Sequence, residues 1–232
     1  MLWGPPGKPG GPRVRSGGLC DPQPEVWAGH AAPGARVGPV PQAPTVWIDP
    51  RAVTIRDMTA EVRTERLIIR DWDISDADDA LAIYGAEEVA RWLTPQMQAV
   101  RDSAAMRSVL HAWVEAQPNL IPPAGRWAIV RAQDGELIGG LSLRQLPPYD
   151  EDFELSWQLR PDCWGNGYAT EASQAIIAWA FDQGIEELFA VARPDNERAI
   201  ATARRLGMEW VGETDKYYDR RLQVFRIRPA GS

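Results

Sequence analysis

Leu159-Arg160-Pro161-Asp162-Cys163-Trp164-Gly165-Asn166-Gly167-Tyr168-Ala169-Thr170-Glu171 is the stretch from which the rest of the chain is read. Before it, Phe153, Leu155, Trp157 and Leu159 alternate with Glu154, Ser156, Gln158 and Arg160, the two-residue period of a strand. After it, Ala172, Ile176 and Ala180, with Ile177 and Trp179, recur at helical spacing. Pro161 interrupts the strand, and Gly165 and Gly167 permit a tight turn that aims several N–H groups at one spot at the helix N-terminus. Such a turn is an anion site built from main chain; a turn that only reverses the chain is the alternative.

Upstream, Thr64 to Trp72 reads as a first strand. Ser75 offers a helix cap with Asp78 three residues later, followed by the apolar stripe Ala80, Leu81, Ile83 and Tyr84. Glu87 to Leu93 reads as a short second helix stopping before Pro95. Asp102 or Ser103 caps a longer one, in which Met106, Val109, Leu110, Trp113 and Val114 share a face up to Pro118. Trp92 and Trp113 at such spacing read as core, with substrate contact as the alternative. Asp134-Gly135 joins strands 126–131 and 137–143 into a hairpin, and an acidic turn, Pro147 to Asp152, precedes the central strand.

Downstream, Gly184 stops the central helix and Glu187 to Ala192 is a strand. Asn196 caps a helix that ends at Gly207, and strands near 208–213 and 222–228 close the chain. The fold class is therefore α+β on one central mixed sheet.

Trp-Gly-Asn-Gly-Tyr-Ala-Thr-Glu-Ala resembles the acyl-CoA pyrophosphate loop of the GNAT N-acetyltransferases, in the branch that includes the RimJ/RimL ribosomal-protein acetyltransferases. The family's Arg/Gln-x-x-Gly-x-Gly/Ala falls on Trp164, Gly167 and Ala169, with Trp164 departing from the commonest first residue. Three other stretches are similar to that family: Thr64-Glu65-Arg66-Leu67, the strand Phe153 to Leu159, and Asn196 to Ala199 followed by Leu206-Gly207-Met208. The resemblance covers residues 62–229 and implies the GNAT fold and acetyl transfer from acetyl-CoA to an amine, either a small molecule or a peptide N-terminus.

On that resemblance, the diphosphate lies on N–H groups of Gly165, Asn166, Gly167, Tyr168, Ala169 and Thr170, with Trp164 and Asn196 beside it. Asn166 stands where a basic residue is common, so one charge contact is missing. The pantetheine chain pairs with the main chain of Trp157, Gln158 and Leu159 by strand addition, and one N–H there stabilises the oxyanion of a tetrahedral intermediate.

The amine attacks as the free base, and an α-amino group with a pKa of about 7.7–8.0 needs less help than a lysine amine at about 10.4. Glu154, on the central strand beside the thioester, is the candidate proton acceptor; a solvated strand-face carboxylate is the alternative. Asp150, Glu151 and Asp152 read as solvated turn residues. The serine and tyrosine that family members place three and seven residues after the capping Asn are here Ala199 and Ala203. Thr202, one turn beyond Ala199, is the substitute general acid, with Tyr217 and Tyr218 as further candidates. The missing donors also motivate the alternative of a catalytically silent acyl-CoA-binding or regulatory domain.

The 232 residues carry a net charge of −7. Nine of the 20 glycines and eleven of the 20 prolines lie in residues 1–50, without helical or strand period. Residues 1–57 are accordingly expected to be a disordered extension and 58–232 the acetyltransferase domain, with Met58 as a possible natural start. The domain's net −9 argues against nucleic acid and would attract a cationic acceptor. The extension lacks a signal-peptide pattern, and no apolar run reaches the roughly 20 residues of a membrane span, so a cytoplasmic protein with no membrane partner is expected.

Cys20 and Cys163 read as unpaired, His30 and His111 as non-catalytic, and no His or Cys pair has metal-ligand spacing, so no metal is expected. Exposed strand edges in such a sheet leave a homodimer possible.

Overall fold

The structure is a computed structural model, and it describes residues 61–93, 97–147 and 152–230. The expectations for residues 1–57, Met58, Pro95 and Pro148 to Glu151 lie outside them.

The order of elements is β1 (Val62–Arg63), β2 (Leu67–Asp71), α1 (Ala77–Tyr84), α2 (Glu87–Leu93), α3 (Ser103–Ala116), β3 (Gly125–Arg131), β4 (Leu137–Gln145), β5 (Phe153–Leu159), α4 (Tyr168–Asp182), β6 (Leu188–Ala192), α5 (Glu197–Arg205), β7 (Glu209–Thr214) and β8 (Leu222–Ile227). The eight strands form one sheet in the order β1-β2-β3-β4-β5-β6-β8-β7, with β5–β6 the parallel pair among antiparallel ones. Asp134-Gly135 turns the β3–β4 hairpin, with Gly135 at φ +74°.

The strand alternation sorts side chains to two faces. Leu67, Ile69, Trp127, Ile129, Leu141, Leu155 and Leu159 pack with Ile176, Trp179 and Ala180 of α4 and Ile200 and Ala203 of α5. On the other face Ala128 and Val130 meet Ala80, Ile83 and Tyr84 of α1 and Met106 and Leu110 of α3. The edge strand β7 leaves Trp210 and Val211 exposed.

Several boundaries differ from the expectation by one or two residues, and two larger differences have a physical reason. The strand expected over Thr64 to Trp72 is β2 and begins at Leu67, after the two-residue β1, because Thr64 closes a turn in which its N–H donates to the carbonyl of Leu67 (2.9 Å). Ser75 does not cap α1; it lies inside a 3-10 turn, Ile74–Asp76, that leads into α1 and is capped by Asp73. The Asp73 carboxylate accepts from the Ser75 N–H (2.8 Å), and the Asp76 carboxylate accepts from the Asp73 N–H (2.9 Å) while holding Arg70. An aspartate two residues earlier completes the reciprocal cap.

Gly140 has a packing reason. A Cβ there would stand 2.1 Å from the Tyr84 hydroxyl and 2.9 Å from the Trp72 ring. The bare backbone lets Tyr84, Trp72 and Trp113 form a mutual aromatic group over the sheet, with centroids 5.4–6.1 Å apart. Gly140→Ala is expected to lower stability by about 1–3 kcal/mol through overpacking, read as a fall in the urea midpoint at unchanged slope. An unchanged midpoint would mean that the aromatic group yields freely.

Candidate active site

β5 and β6 share a single partnered position, Glu154 with Phe189. Beyond it β5 runs on as far as Leu159 with β4 as its strand partner. The bond from Arg160 N–H to the Ile138 carbonyl (2.9 Å) fixes the alternation, so the main-chain groups of Gln158 turn toward β4 and those of Trp157 and Leu159 turn away from it. The Leu159 carbonyl indeed accepts from the Trp164 indole N–H (2.9 Å). Of the three residues expected to pair with an extended ligand, Trp157 and Leu159 offer main chain. Gln158 offers its side chain, which accepts from the Tyr84 hydroxyl at 3.4 Å.

A cavity of about 640 Å³ opens along this divergence and runs to the start of α4. There Gly165 and Gly167 hold φ of +81° and +80°, the left-handed region that glycine enters without a Cβ penalty. Gly167 occupies the N-cap position of α4, and the first intrahelical bond recorded is from Glu171 N–H to its carbonyl (3.0 Å). The N–H groups of Tyr168, Ala169 and Thr170 therefore have no helical acceptor. Trp157, Gln158, Leu159, Trp164, Gly165, Gly167, Tyr168, Ala169, Thr170 and Asn196 all line the cavity, with Glu154 and Thr202.

Asn166 does not line it. Its side-chain amide instead donates to the carbonyls of Cys163 and Trp164, both at 3.2 Å, and so shapes the turn from within. Asn196 caps α5 by accepting from Ala199 N–H (3.2 Å).

A clamp unseen in the sequence fixes the turn. Glu171, 9% exposed in the first turn of α4, accepts from the Thr64 hydroxyl (2.5 Å), from Arg66 N–H (2.9 Å) and from the Arg66 guanidinium (2.7 Å). Arg66 also donates to the Asn166 carbonyl (3.0 Å) and lies over the Tyr168 ring, 4.8 Å from its centroid. The Thr-Glu-Arg stretch is thus a grip on the glycine turn.

Cations and aromatics also gather where the sequence reading did not place them. The Arg198 guanidinium stacks 4.5 Å from the Trp164 ring at the cavity wall, supplying charge near the turn that Asn166 lacks. Trp92, read as core, lines the cavity, whereas Trp113 packs with Trp72 and Tyr84 as expected.

Glu154 is buried, 3% exposed, so the solvated reading of this carboxylate is overturned. Arg144 donates to its Oε2 at 3.0 Å, and the Tyr218 hydroxyl donates to the same oxygen at 2.6 Å. Tyr218 and Asp219 have φ of +57° and +50°, in a left-handed turn between β7 and β8 from which Tyr218 reaches back to β5. Tyr217 donates to Asp152 instead, at 2.7 Å, so Asp152 is a paired residue rather than a solvated one.

Burial, reinforced by the Glu154 carboxylate, raises the Tyr218 phenol above its ordinary value, and burial raises that of Tyr84. Both folded-state values lie above the unfolded one of about 10, so their stabilising share is complete below pH 10 and declines as the unfolded chain's phenols ionise above it. Stability is accordingly expected to fall as the pH rises above about 10. Phenol absorbance of the folded protein should show two tyrosines that resist titration there; five ordinary midpoints would contradict it.

Thr202 faces the cavity, and its hydroxyl donates to the Arg198 carbonyl one turn back (3.0 Å). Cys163 is buried in the core, where burial raises its thiol, and His111 pairs with Glu115 (3.2 Å) on the exposed side of α3. Among the described residues no group of three His, Cys, Asp or Glu is placed to hold a metal ion, and no helix is long and apolar enough to cross a membrane.

Residues 66–209 match the acetyltransferase (GNAT) domain family. The chain belongs to the GNAT acetyltransferases. This GNAT chain is 25% identical over 158 residues to the uncharacterized N-acetyltransferase YoaA of Bacillus subtilis, covering 67% of this chain and 86% of that protein. It is 30% identical over 154 residues to the L-methionine sulfoximine/L-methionine sulfone acetyltransferase of Pseudomonas paraeruginosa, covering 62% and 81%. Its fold is similar to the crystal structure of the ribosomal-protein-S5-alanine acetyltransferase of Vibrio fischeri, with a TM-score of 0.60 at 18% identity over 74% of this chain and 98% of that one. GNAT acetyltransferases use acetyl-CoA as cosubstrate, and this member is an acetyltransferase with their eight-stranded mixed sheet flanked by helices.

Proposed function

We propose that this chain transfers the acetyl group of acetyl-CoA to a primary amine, either a small-molecule amine or a peptide N-terminus. The observation that carries the reading is the cavity that joins the open edge of β5 to the glycine turn of α4. The residues present fit the cosubstrate. Unpaired N–H groups at a helix N-terminus suit a diphosphate, Arg198 adds a cation, and the main chain of Trp157 and the N–H of Leu159, turned away from β4, suit an amide-bearing extended chain. The N–H of Trp157, which points into the divergence, is the candidate donor to the carbonyl under attack, a contribution typically worth about 10²–10³ in rate.

Glu154 is the proposed proton acceptor. The contacts from Arg144 and Tyr218 all fall on Oε2, which leaves Oε1 as the oxygen to meet an incoming ammonium, directly or through water. Arg144 and Tyr218 are then positioning residues that hold the carboxylate. Glu154→Gln is expected to reduce kcat most strongly below the pKa of the amine, where deprotonation limits the reaction; a pH–rate profile parallel to wild type would remove Glu154 from this role.

Thr202, its hydroxyl hydrogen engaged by its own helix, is the proposed acid for the leaving thiolate, which tolerates a weak donor. This engagement, with Ala199 and Ala203 at the two usual donor positions, favours a second reading, a catalytically silent acyl-CoA-binding domain. Thiol release on mixing protein, acetyl-CoA and a panel of metabolite amines and N-terminal peptides separates the two. Release above the buffer rate supports the enzyme, and tight binding with no release supports the silent domain. The kinship in fold to a ribosomal-protein acetyltransferase and in sequence to an amino-acid-analogue acetyltransferase supports including both acceptor classes.

A further inference from the structure

The face of the sheet that carries Glu154 also carries an arginine without a counter-ion. Arg126 on β3 stands opposite Ser142 on β4, and Ser142 opposite Ser156 on β5, with the two hydroxyls 2.8 Å apart. The neighbouring pair along the same strands is Arg144 with Glu154. Arg144 is neutralised by that glutamate. Among the described residues Arg126 has no carboxylate partner; its guanidinium lies 5.9 Å from the Trp113 ring centroid, beside Tyr84. Partial burial and the nearby Arg144 cation both disfavour its charge.

A half-buried guanidinium with a second cation close by and no anion is electrostatically unsatisfied, and a planar carboxylate satisfies its fork of donors best. The position decides what would bring one. Arg144 and Ser156 line the acetyl-transfer cavity, and Arg126 lies two strands across from Ser156, about 10 Å between main chains. An arginine side chain and a ligand with amine and carboxylate a few bonds apart together cover that span. Trp113 and Tyr84 flank one side of this ground and Tyr218 the other.

We propose that the acceptor is an amine bearing its own carboxylate, of amino-acid type, and that Arg126 binds that carboxylate while the amine faces Glu154. This rests on the acetyl-transfer reading and narrows it, because a peptide N-terminus has an amide where this site asks for an acid. On this proposal the acceptor keeps the cationic amine that the domain's net charge would attract and carries an anionic group as well.

The test uses the full chain saturated with CoA and matched unreactive ligands: the N-acetyl derivatives of methionine, phenylalanine and alanine, each against its carboxamide. Calorimetry on wild type, Arg126→Met and Arg126→Lys reads the acid-to-amide affinity ratio. At least one acid is expected to bind about tenfold or more tightly than its amide. The ratio should fall to near one in Arg126→Met and partly recover in Arg126→Lys, with CoA affinity held in both. Equal affinity of acid and amide in wild type, no binding of any pair, or a preference that survives Arg126→Met would each overturn the proposal. Thiol release is followed separately with the free amino acids: an intact acid preference without release with any amine would refute acetyl transfer and leave the anion site standing.

Discussion

Arg66→Met lowers the stability of the folded domain by about 3 kcal/mol, because it leaves Glu171 buried without its counter-charge. Thr64 and one backbone N–H still reach that carboxylate, which keeps the loss near the lower end of the range for broken buried pairs. The same change frees the Asn166 carbonyl and uncovers the Tyr168 ring, so the glycine turn is no longer pinned to the β1–β2 connection. Urea unfolding at neutral pH reads the stability, and the cycle through Glu171→Gln isolates the pair: the double variant should recover part of the loss. A single-variant loss below about 1 kcal/mol would mean that Glu171 reaches water and that the clamp is an ordinary surface ion pair.

Gly167→Glu abolishes binding of acetyl-CoA. At φ +80° a non-glycine residue is strained, and the new carboxylate would stand at the helix N-terminus where the diphosphate is proposed to lie. A like-charge contact of several kcal/mol corresponds to a loss of at least about a hundredfold. In wild type, ligand at 100 times its Kd stabilises by about 2.7 kcal/mol, a clear rise in melting temperature. The variant should melt at the same temperature with and without acetyl-CoA. An equal rise in both proteins would move the diphosphate away from this turn.

The parts legible in the sequence were those whose cause is local. Phe153 to Leu159 alternates strictly and is a strand over those residues, Gly165 and Gly167 take the positive φ that their spacing suggested, and Asn196 caps its helix. What escaped depends on partners far along the chain. Thr64 to Arg66 looks like strand, yet its conformation answers to Glu171, 105 to 107 residues away. The burial of Glu154 follows from Arg144 and from Tyr218, 64 residues further on. Trp92 and Trp113 have the same helical spacing, and only the opening of β5 from β6 puts the first at the cavity and leaves the second against Tyr84. Arg126 offered no signal at all, since an arginine opening a strand reads as solvated until its missing counter-ion is seen.

The measurement that bears most directly on the reading of the site is calorimetric titration of the full-length chain with acetyl-CoA. Saturable binding at one site with a micromolar Kd is the expected result, since the open edge of β5 and the turn at α4 are then a working acyl-CoA site. An absence of binding heat at two temperatures, with the protein folded, would contradict it.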